Sequence, residues 1–279
     1  MNALLTSLAA AGTEPEPFHP PTLADFFPPI ILFQDPAVDW AGGEEPIFGI
    51  NRIILVRLIA AIALILVFVL GTRKLRLIPT RGQSLVEMGL GFVRDGIAYD
   101  LLGEKDGKRF LPLITTIFFM VLAMNFTAVI PGLNIAGTSV IGVPLVLAIV
   151  AYIAFIYAGL KKHPGAFLKN SLLPPGVPWP LYIIVLPLEF ISTFVLRPIT
   201  LTLRLMMNML VGHLMLVLFF AATQFFLFSA GGLYTVLGVG TLAFGFAFTV
   251  FELLVCVLQA YVFAILTTIY IQLALAEEH

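Results

Sequence analysis

Long apolar stretches, separated by short polar or proline-rich segments, dominate the pattern of hydrophobic and polar positions along this chain. An apolar run of about 20 residues is long enough to cross the hydrocarbon core of a membrane as a helix. Residues 50–70 predict one such helix, with Arg57 inside it, and residues 111–160 predict a hairpin of two more that turns at a Pro-Gly pair. Asn125, within that hairpin, is a candidate for hydrogen bonding between helices.

The last part of the chain, residues 181–276, holds two apolar stretches of about 40 residues. Each would be roughly 60 Å long as a helix, twice the thickness of the hydrocarbon core. Each stretch could divide into two spans, but the only candidate breaks, at Arg197-Pro198 and at Gly245, lack the polar cluster expected of a loop. We therefore predict two long helices that lie strongly tilted as an antiparallel hairpin, which brings the membrane-embedded helices to about five.

Residues 84–102 mix apolar residues with four charged side chains. This composition is too polar for a spanning helix and is typical of an amphipathic helix on a membrane surface. We predict such a helix on the cytoplasmic surface, followed by a charged loop over residues 104–109. The predicted fold class is an all-α polytopic membrane protein with one amphipathic surface helix, in which residues 1–279 form a single membrane domain.

The overall composition agrees with a membrane protein. Of the 279 residues, 60% are hydrophobic and only 11% are charged, and the mean hydropathy is +1.04. An ordinary soluble domain is about 45 to 50% apolar, so that class is excluded. The single cysteine, Cys256, excludes an intrachain disulfide and is expected to be a packing residue.

The distribution of charge predicts the orientation of the chain. Residues 1–49 contain seven acidic residues and no Lys or Arg, so we expect an external N-terminal tail. The basic cluster over residues 73–81 directly follows the first helix and places its end in the cytoplasm, because basic residues concentrate on that side of a membrane. We therefore expect the N-terminus outside and the C-terminus in the cytoplasm.

Arg204 lies deep in an apolar run and is the least favourable residue in the hydrophobic pattern. Its guanidinium stays charged at any working pH, and an arginine at the centre of a membrane helix costs roughly 3 kcal/mol even on the mildest scales. The nearest preceding acid, Glu189, is fifteen residues away, or about 20 Å along a helix. We therefore expect a partner from another helix or another protein, and such charges usually mark ion pathways. Arg197 is more simply explained by a side chain that reaches the membrane interface.

Further polar side chains lie on the two long apolar stretches within residues 181–276. Glu252 and Gln259 are seven residues apart, which places them on one face of a helix about 10 Å apart. If the hairpin is antiparallel and His213 faces Glu252, Gln259 becomes a near neighbour of Arg204. Asn208 lies one turn from Arg204 on the same face. Together these residues predict a row of groups that can bind water or protons.

Residues 202–213 read Thr-Leu-Arg-Leu-Met-Met-Asn-Met-Leu-Val-Gly-His. This segment resembles the signature of subunit a of the F-type ATP synthases, in which Leu-Arg-Leu is followed by Asn-Met and then by Gly-His or Gly-Glu. Residues 251–279 resemble the last helix of the same family, and the resemblance as a whole extends over residues 111–279.

The resemblance implies a role for each polar residue of the hairpin. Arg204 corresponds to the essential arginine that faces the rotating c-ring, and Asn208 and Gln259 line the adjacent polar path. His213 and Glu252 occupy two positions at which many relatives carry the acid and the imidazole in the opposite order, so an acid paired with an imidazole is preserved.

Glu189 is implied as the acid of the cytoplasmic mouth, where we expect it to approach Glu277 and Glu278. It lies one residue farther from Arg204 than in some relatives, so a bulge is expected to align it.

By the same resemblance, the chain is a stator subunit of the membrane sector of a rotary ATP synthase in the bacterial plasma membrane. It would conduct protons to and from the c-ring carboxylates through two offset half-channels, the outer through His213 and Glu252 and the inner past Glu189, with Arg204 between them. The implied partners are the c-ring, the peripheral-stalk b subunits and the lipid bilayer, and no nucleic acid. The resemblance implies no cofactor, no metal and no catalysis by the chain alone.

Two other classes compete with this interpretation. One is an autonomous ion-coupled secondary transporter in which Arg204 binds an anionic substrate, and the other is a structural membrane scaffold. A transporter is expected to show a repeat and broken helices, and no repeat is visible in the sequence. A scaffold would tolerate the replacement Arg204→Ala.

Overall fold

The structure is a computed structural model that describes residues 30–32, 50–73, 81–130, 132–133, 135–162, 182–229 and 234–275. Within these ranges, five helices are long and apolar enough to cross a membrane, as judged by length and composition. The prediction of an all-α polytopic membrane protein is confirmed. In chain order the helices are α1, Arg52–Thr72; α2, Arg81–Phe126; α3, Gly142–Lys162; α4, Tyr182–Phe228; and α5, Tyr234–Leu275.

A short pair of strands precedes the first helix. Strand β1, Ile30–Leu32, pairs antiparallel with β2, Ile50–Asn51. Asn51 then caps α1, since its side chain accepts a hydrogen bond from the backbone N–H of Ile54 at 3.0 Å. No pattern in the sequence predicts this strand pair, and most of the predicted tail at 1–49 lies outside the described residues.

Helix α2 continues through residues 104–109, so the prediction of a loop there is wrong. The helix changes direction at Gly103, whose φ of 74° and ψ of 173° are readily adopted only by glycine. Beyond it, Lys108 Nζ donates to Glu104 Oε1 at 3.1 Å, an i,i+4 pair that supports helical structure. The charged residues therefore cover a helix surface. The location of residues 84–102 on a membrane surface stays a prediction.

Helices α4 and α5 pass without a break through the two positions considered as candidate loops. The hydrogen bonding of α4 widens to a π-helix over Ile191–Leu196, just after Glu189. That such a bulge aligns Glu189 stays a prediction. Pro198 follows in the first turn of the next α-helical part, where its missing N–H is tolerated. Helix α5 is continuous over 42 residues and includes Gly245.

The contacts between α4 and α5 run in opposite order along the two helices. Asn208 of α4 bonds to Gln259 of α5, whereas Thr223, later in α4, donates to Thr241, earlier in α5, at 2.9 Å. The two helices are therefore antiparallel neighbours. Their tilt in the membrane stays a prediction.

The hydrophobic core lies where α2, α3 and α5 meet. Ile114 and Ile117 of α2, Ala151 of α3 and Phe263 of α5 are at most 1% exposed. Small residues recur along the buried face of α3, which lets membrane helices approach closely. Because α5 packs against α2, α3 and α4, the polar residues on its buried face point into the protein.

The two ends of the bundle are identified by residues of α1 and α3. Lys162 Nζ donates to the carbonyl of Leu275 at 3.1 Å, so α3 and α5 finish side by side. We call this the Lys162 end. The opposite end, where α1 begins, is called the Arg52 end.

Candidate functional site

The middle of the hairpin carries a polar contact between α4 and α5. Asn208 Nδ2 donates to Gln259 Oε1 at 2.7 Å. Gln259 is 3% exposed, and its Nε2 has no hydrogen-bond partner among the residues that the structure describes. A buried donor left without a partner costs about 1–3 kcal/mol unless water satisfies it. The geometry therefore favours a water molecule beside Gln259.

Arg204 lies one helical turn before Asn208 and is exposed on the surface of the bundle. Its neighbours along α4 are exposed apolar side chains, Leu203 at 39% and Met207 at 48%. Within the described ranges, no acid lies within salt-bridge distance of Arg204. Because a guanidinium on an apolar membrane surface is costly by roughly 3 kcal/mol, this face favours an acidic partner from outside the chain.

Glu252 is buried between the Asn208–Gln259 contact and the Arg52 end. It is 1% exposed, and neither carboxylate oxygen has a hydrogen-bond partner in the described part of the chain. The carboxylate lies against α4 at Gly212, where an added Cβ would be only 3.1 Å from Glu252 Oε1. Gly212 therefore makes room for this carboxyl group, which is a candidate for binding water or a proton.

His213 directly follows Gly212 and is half-buried. Arg52, the first residue of α1, binds the connection between α2 and α3, since its Nη2 donates to the carbonyl of Leu133 at 3.0 Å. His213 and Glu252 therefore lie on the Arg52 side of Arg204.

Glu189 lies on the other side of Arg204, towards the Lys162 end. It is half-buried, and Thr193 Oγ1 approaches Glu189 Oε1 at 3.5 Å from one helical turn away. The expected approach of Glu189 to Glu277 and Glu278 involves residues outside the described ranges. Glu189 is therefore separated from the other five candidate residues, about 22 Å from Arg204 along α4.

Arg197 is held against two aromatic rings near Glu189. Its guanidinium carbon lies 5.9 Å from the centroid of Phe155 in α3 and 5.5 Å from that of Tyr270 in α5. Both distances suit cation–π interaction. The sequence suggested only a position at the membrane interface and did not reveal these rings, because they belong to other helices.

The site as a whole is a line of polar groups along the α4–α5 hairpin. His213 is about 14 Å from Arg204 along the helix axis, in the direction opposite to Glu189. In the described residues, no group of three or more His, Cys, Asp or Glu side chains could hold a metal ion. The polar groups of this line are suited to hydrogen bonding, proton exchange and charge attraction.

Comparison with known proteins places this arrangement in a family. Residues 54–272 match the family model described as ATP synthase A chain. The chain is 51% identical over 278 residues to ATP synthase subunit a of Rhodococcus erythropolis, which covers 99% of this chain and 95% of that protein.

Two further relatives, also named ATP synthase subunit a, are more distant in sequence. The chain is 36% identical over 276 residues to the protein of Pseudarthrobacter chlorophenolicus, covering 99% of this chain and 100% of the relative. It is 42% identical over 223 residues to the protein of Hyphomonas neptunium, covering 80% of this chain and 86% of the relative. The family model and the extent of these matches show that this chain belongs to the ATP synthase A chain family.

Proposed function

We propose that this chain is the stator subunit of an ATP synthase membrane sector, and that it conducts protons through two offset half-channels to and from c-ring carboxylates. Relatives named ATP synthase subunit a support a role in that assembly. The observation that carries the proposal is Arg204, a permanent charge exposed on an apolar helix surface with no acidic partner among the described residues.

The exposed face of Arg204 suits a carboxylate on a moving partner. A c-ring carboxylate that passes this face in its deprotonated form is stabilised by attraction to the guanidinium, and the attraction is strong because the surroundings are apolar. A protonated carboxyl group gains no such attraction and can move on into lipid. The charge on Arg204 thus favours release of the proton at this point of the rotation.

The outer half-channel is formed around Glu252 and His213. The carboxylate of Glu252 is buried without a hydrogen-bond partner in the described residues, so water or a proton is the natural occupant of the space beside it. From there, the Asn208–Gln259 contact continues the polar line towards Arg204. The inner half-channel passes Glu189 on the other side of Arg204.

Arg204 separates the two half-channels as well as attracting the carboxylate. Its fixed positive charge repels a proton that would pass directly from one half-channel to the other. Each charge that crosses the membrane is worth about 2.3 kcal/mol per 100 mV, so a direct leak would dissipate the gradient without rotation.

The remaining partners and the location follow from the same assignment. The chain assembles with the c-ring and the peripheral-stalk b subunits in a bacterial plasma membrane, with its N-terminus and the Arg52 end outside. It carries out no chemical catalysis by itself and couples proton flow to rotation.

The transporter alternative receives less support from the helices. Transporters of that class bind substrate at helices that are broken near the middle of the membrane. Here α4 and α5, which carry the six candidate residues, are unbroken over Tyr182–Phe228 and Tyr234–Leu275.

The test is ATP-driven acidification of inverted membrane vesicles that carry Arg204→Ala. We expect acidification to be abolished while the amount of assembled complex stays at the wild-type level. Arg73→Gln, which removes an exposed charge just after α1, is the matched control and should acidify normally. Wild-type acidification by Arg204→Ala would reject the proposal.

A further inference from the structure

Two arginines of α1 bind the backbone of the connection between α2 and α3. Arg57 Nε donates to the carbonyl of Gly137 at 2.8 Å, and Arg57 Nη2 donates to the carbonyl of Val140 at 3.3 Å. One and a half turns earlier, Arg52 Nη2 donates to the carbonyl of Leu133 at 3.0 Å. The rigid fork of a guanidinium suits two acceptors at once, which the single ammonium of lysine does not reproduce.

Residues 135–139 of the connection are buried, and they lie against the end of α2. Thr138 Oγ1 donates to Asn125 Oδ1 at 2.6 Å, and both residues are fully buried. The backbone N–H of Gly137 donates to the carbonyl of Met124 at 3.0 Å. A Cβ on Gly137 would lie 2.6 Å from Met124 Sδ and 3.4 Å from Arg57 Cγ, so a larger residue here would force the Met124 side chain to move. The connection is therefore packed tightly between α1 and α2.

Ala136 extends this packing to the α4–α5 hairpin. It is fully buried and belongs to one apolar cluster with Met209 of α4 and Cys256 of α5. Met209 lies one helical turn from His213, and Cys256 lies one turn from Glu252. The connection thus forms a wall immediately beside the His213 and Glu252 region.

We propose that Arg57 is a positioning residue for proton exchange at His213 and Glu252, because it holds the connection in place as a wall of the outer half-channel. This inference rests on the proposed function. If Arg57 is removed, the carbonyl groups of Gly137 and Val140, whose bonds to Arg57 are partly buried, lose a charged donor, which is unfavourable for the packed state. The contact of the connection with the hairpin then opens more often.

Cys256 provides a reporter that does not depend on proton flow. It is the only cysteine of the chain and is 0% exposed, and its thiol lies in the cluster that the connection covers. The experiment measures the rate at which N-ethylmaleimide labels Cys256 in the assembled complex in inverted vesicles, by mass spectrometry of this chain. The variants are Arg57→Gln and Arg57→Lys, with Arg73→Gln as the matched control.

We expect Cys256 in Arg57→Gln to be labelled about tenfold faster than in wild type. The loss of hydrogen bonds from a charged group lowers the free energy needed to open the local packing around Cys256. Arg57→Lys should be intermediate, because it keeps the charge but not the two-point contact. Arg73→Gln should label as wild type. The rate of ATP-driven acidification per assembled complex should fall in the same order, which a loss of assembly alone would not produce.

Three results would overturn the inference: labelling of Arg57→Gln at the wild-type rate, faster labelling with an unchanged acidification rate per complex, or full restoration of both properties by lysine. If Arg57→Gln does not assemble, Arg57→Lys decides, and wild-type labelling in that variant overturns the inference. If Cys256 in Arg57→Gln is labelled at the wild-type rate while Arg204→Ala loses acidification, this inference is rejected and the proposed function is retained. Normal acidification by Arg204→Ala rejects the proposed function whatever the labelling of Cys256.

Discussion

The side-chain amide of Asn208 donates a 2.7 Å hydrogen bond to Gln259, and this bond joins α4 to α5 one helical turn from Arg204. The bond fixes the register of α4 against α5 close to the position of Arg204 along α4. It also leaves Gln259 Nε2 buried without a partner in the described part of the chain, so that a water molecule beside Gln259 would find a donor there. The same bond therefore has a structural and a functional consequence.

The two consequences can be separated with Asn208→Leu, Gln259→Leu and the double variant. A neutral hydrogen bond contributes about 1 kcal/mol, so each single change should slow acidification per complex about fivefold. The double variant should be less impaired than the sum of the single free-energy changes, because its two leucines leave no unpaired amide. Strictly additive losses would mean that the two amides act independently.

Gly212 makes room for the buried carboxylate of Glu252. Gly212→Ala would place a methyl group 3.1 Å from Glu252 Oε1, so the carboxyl group has to shift by a few tenths of an ångström. We expect acidification to slow by less than about tenfold in this variant, and a larger loss for Gly212→Val, because packed interiors respond to single added carbon groups. Gly240→Ala, at a position with open space, is the control and should behave as wild type.

Gly212→Ala and Gly240→Ala must be compared at equal amounts of assembled complex. Equal acidification rates in the two would contradict the close approach of Glu252 to α4.

His213 and Glu252 should be exchangeable as a pair. The single changes His213→Glu and Glu252→His replace the acid and imidazole with two acids or two imidazoles, which places like charges in one buried region. The double exchange restores one of each and should recover a large share of the acidification that either single change removes. Acidification in the double variant no higher than in the worse single variant would show that the positions are not interchangeable.

The helices could be predicted because their signals are local. Apolar runs of sufficient length predicted the five long helices, and the absence of a polar cluster at Arg197-Pro198 and at Gly245 predicted that α4 and α5 continue. The prediction of a loop over 104–109 is wrong because the local signal there is misleading. A cluster of charges is typical of a loop, but here Gly103 accommodates the change of direction and the ion pair between Glu104 and Lys108 supports the following helix.

Contacts between distant segments could be predicted only where a pattern specified their register. The contact between Asn208 and Gln259 agrees with the register that simple counting predicts for an antiparallel hairpin. Arg57 shows the limit of this reasoning, since in sequence it only interrupts an apolar run. Its acceptors are 80 and 83 residues away, in a connection whose folding no periodicity describes.

The central claim is that Arg204 separates two half-channels, and the most direct test is the rate at which an imposed proton gradient decays in vesicles without nucleotide. In the intact wild-type complex the ring does not turn under these conditions, so the gradient should be held. In Arg204→Ala, at equal amounts of assembled complex, the repelling charge is gone and the gradient should decay faster through the membrane sector. Decay at the wild-type rate, together with normal ATP-driven acidification, would contradict the account.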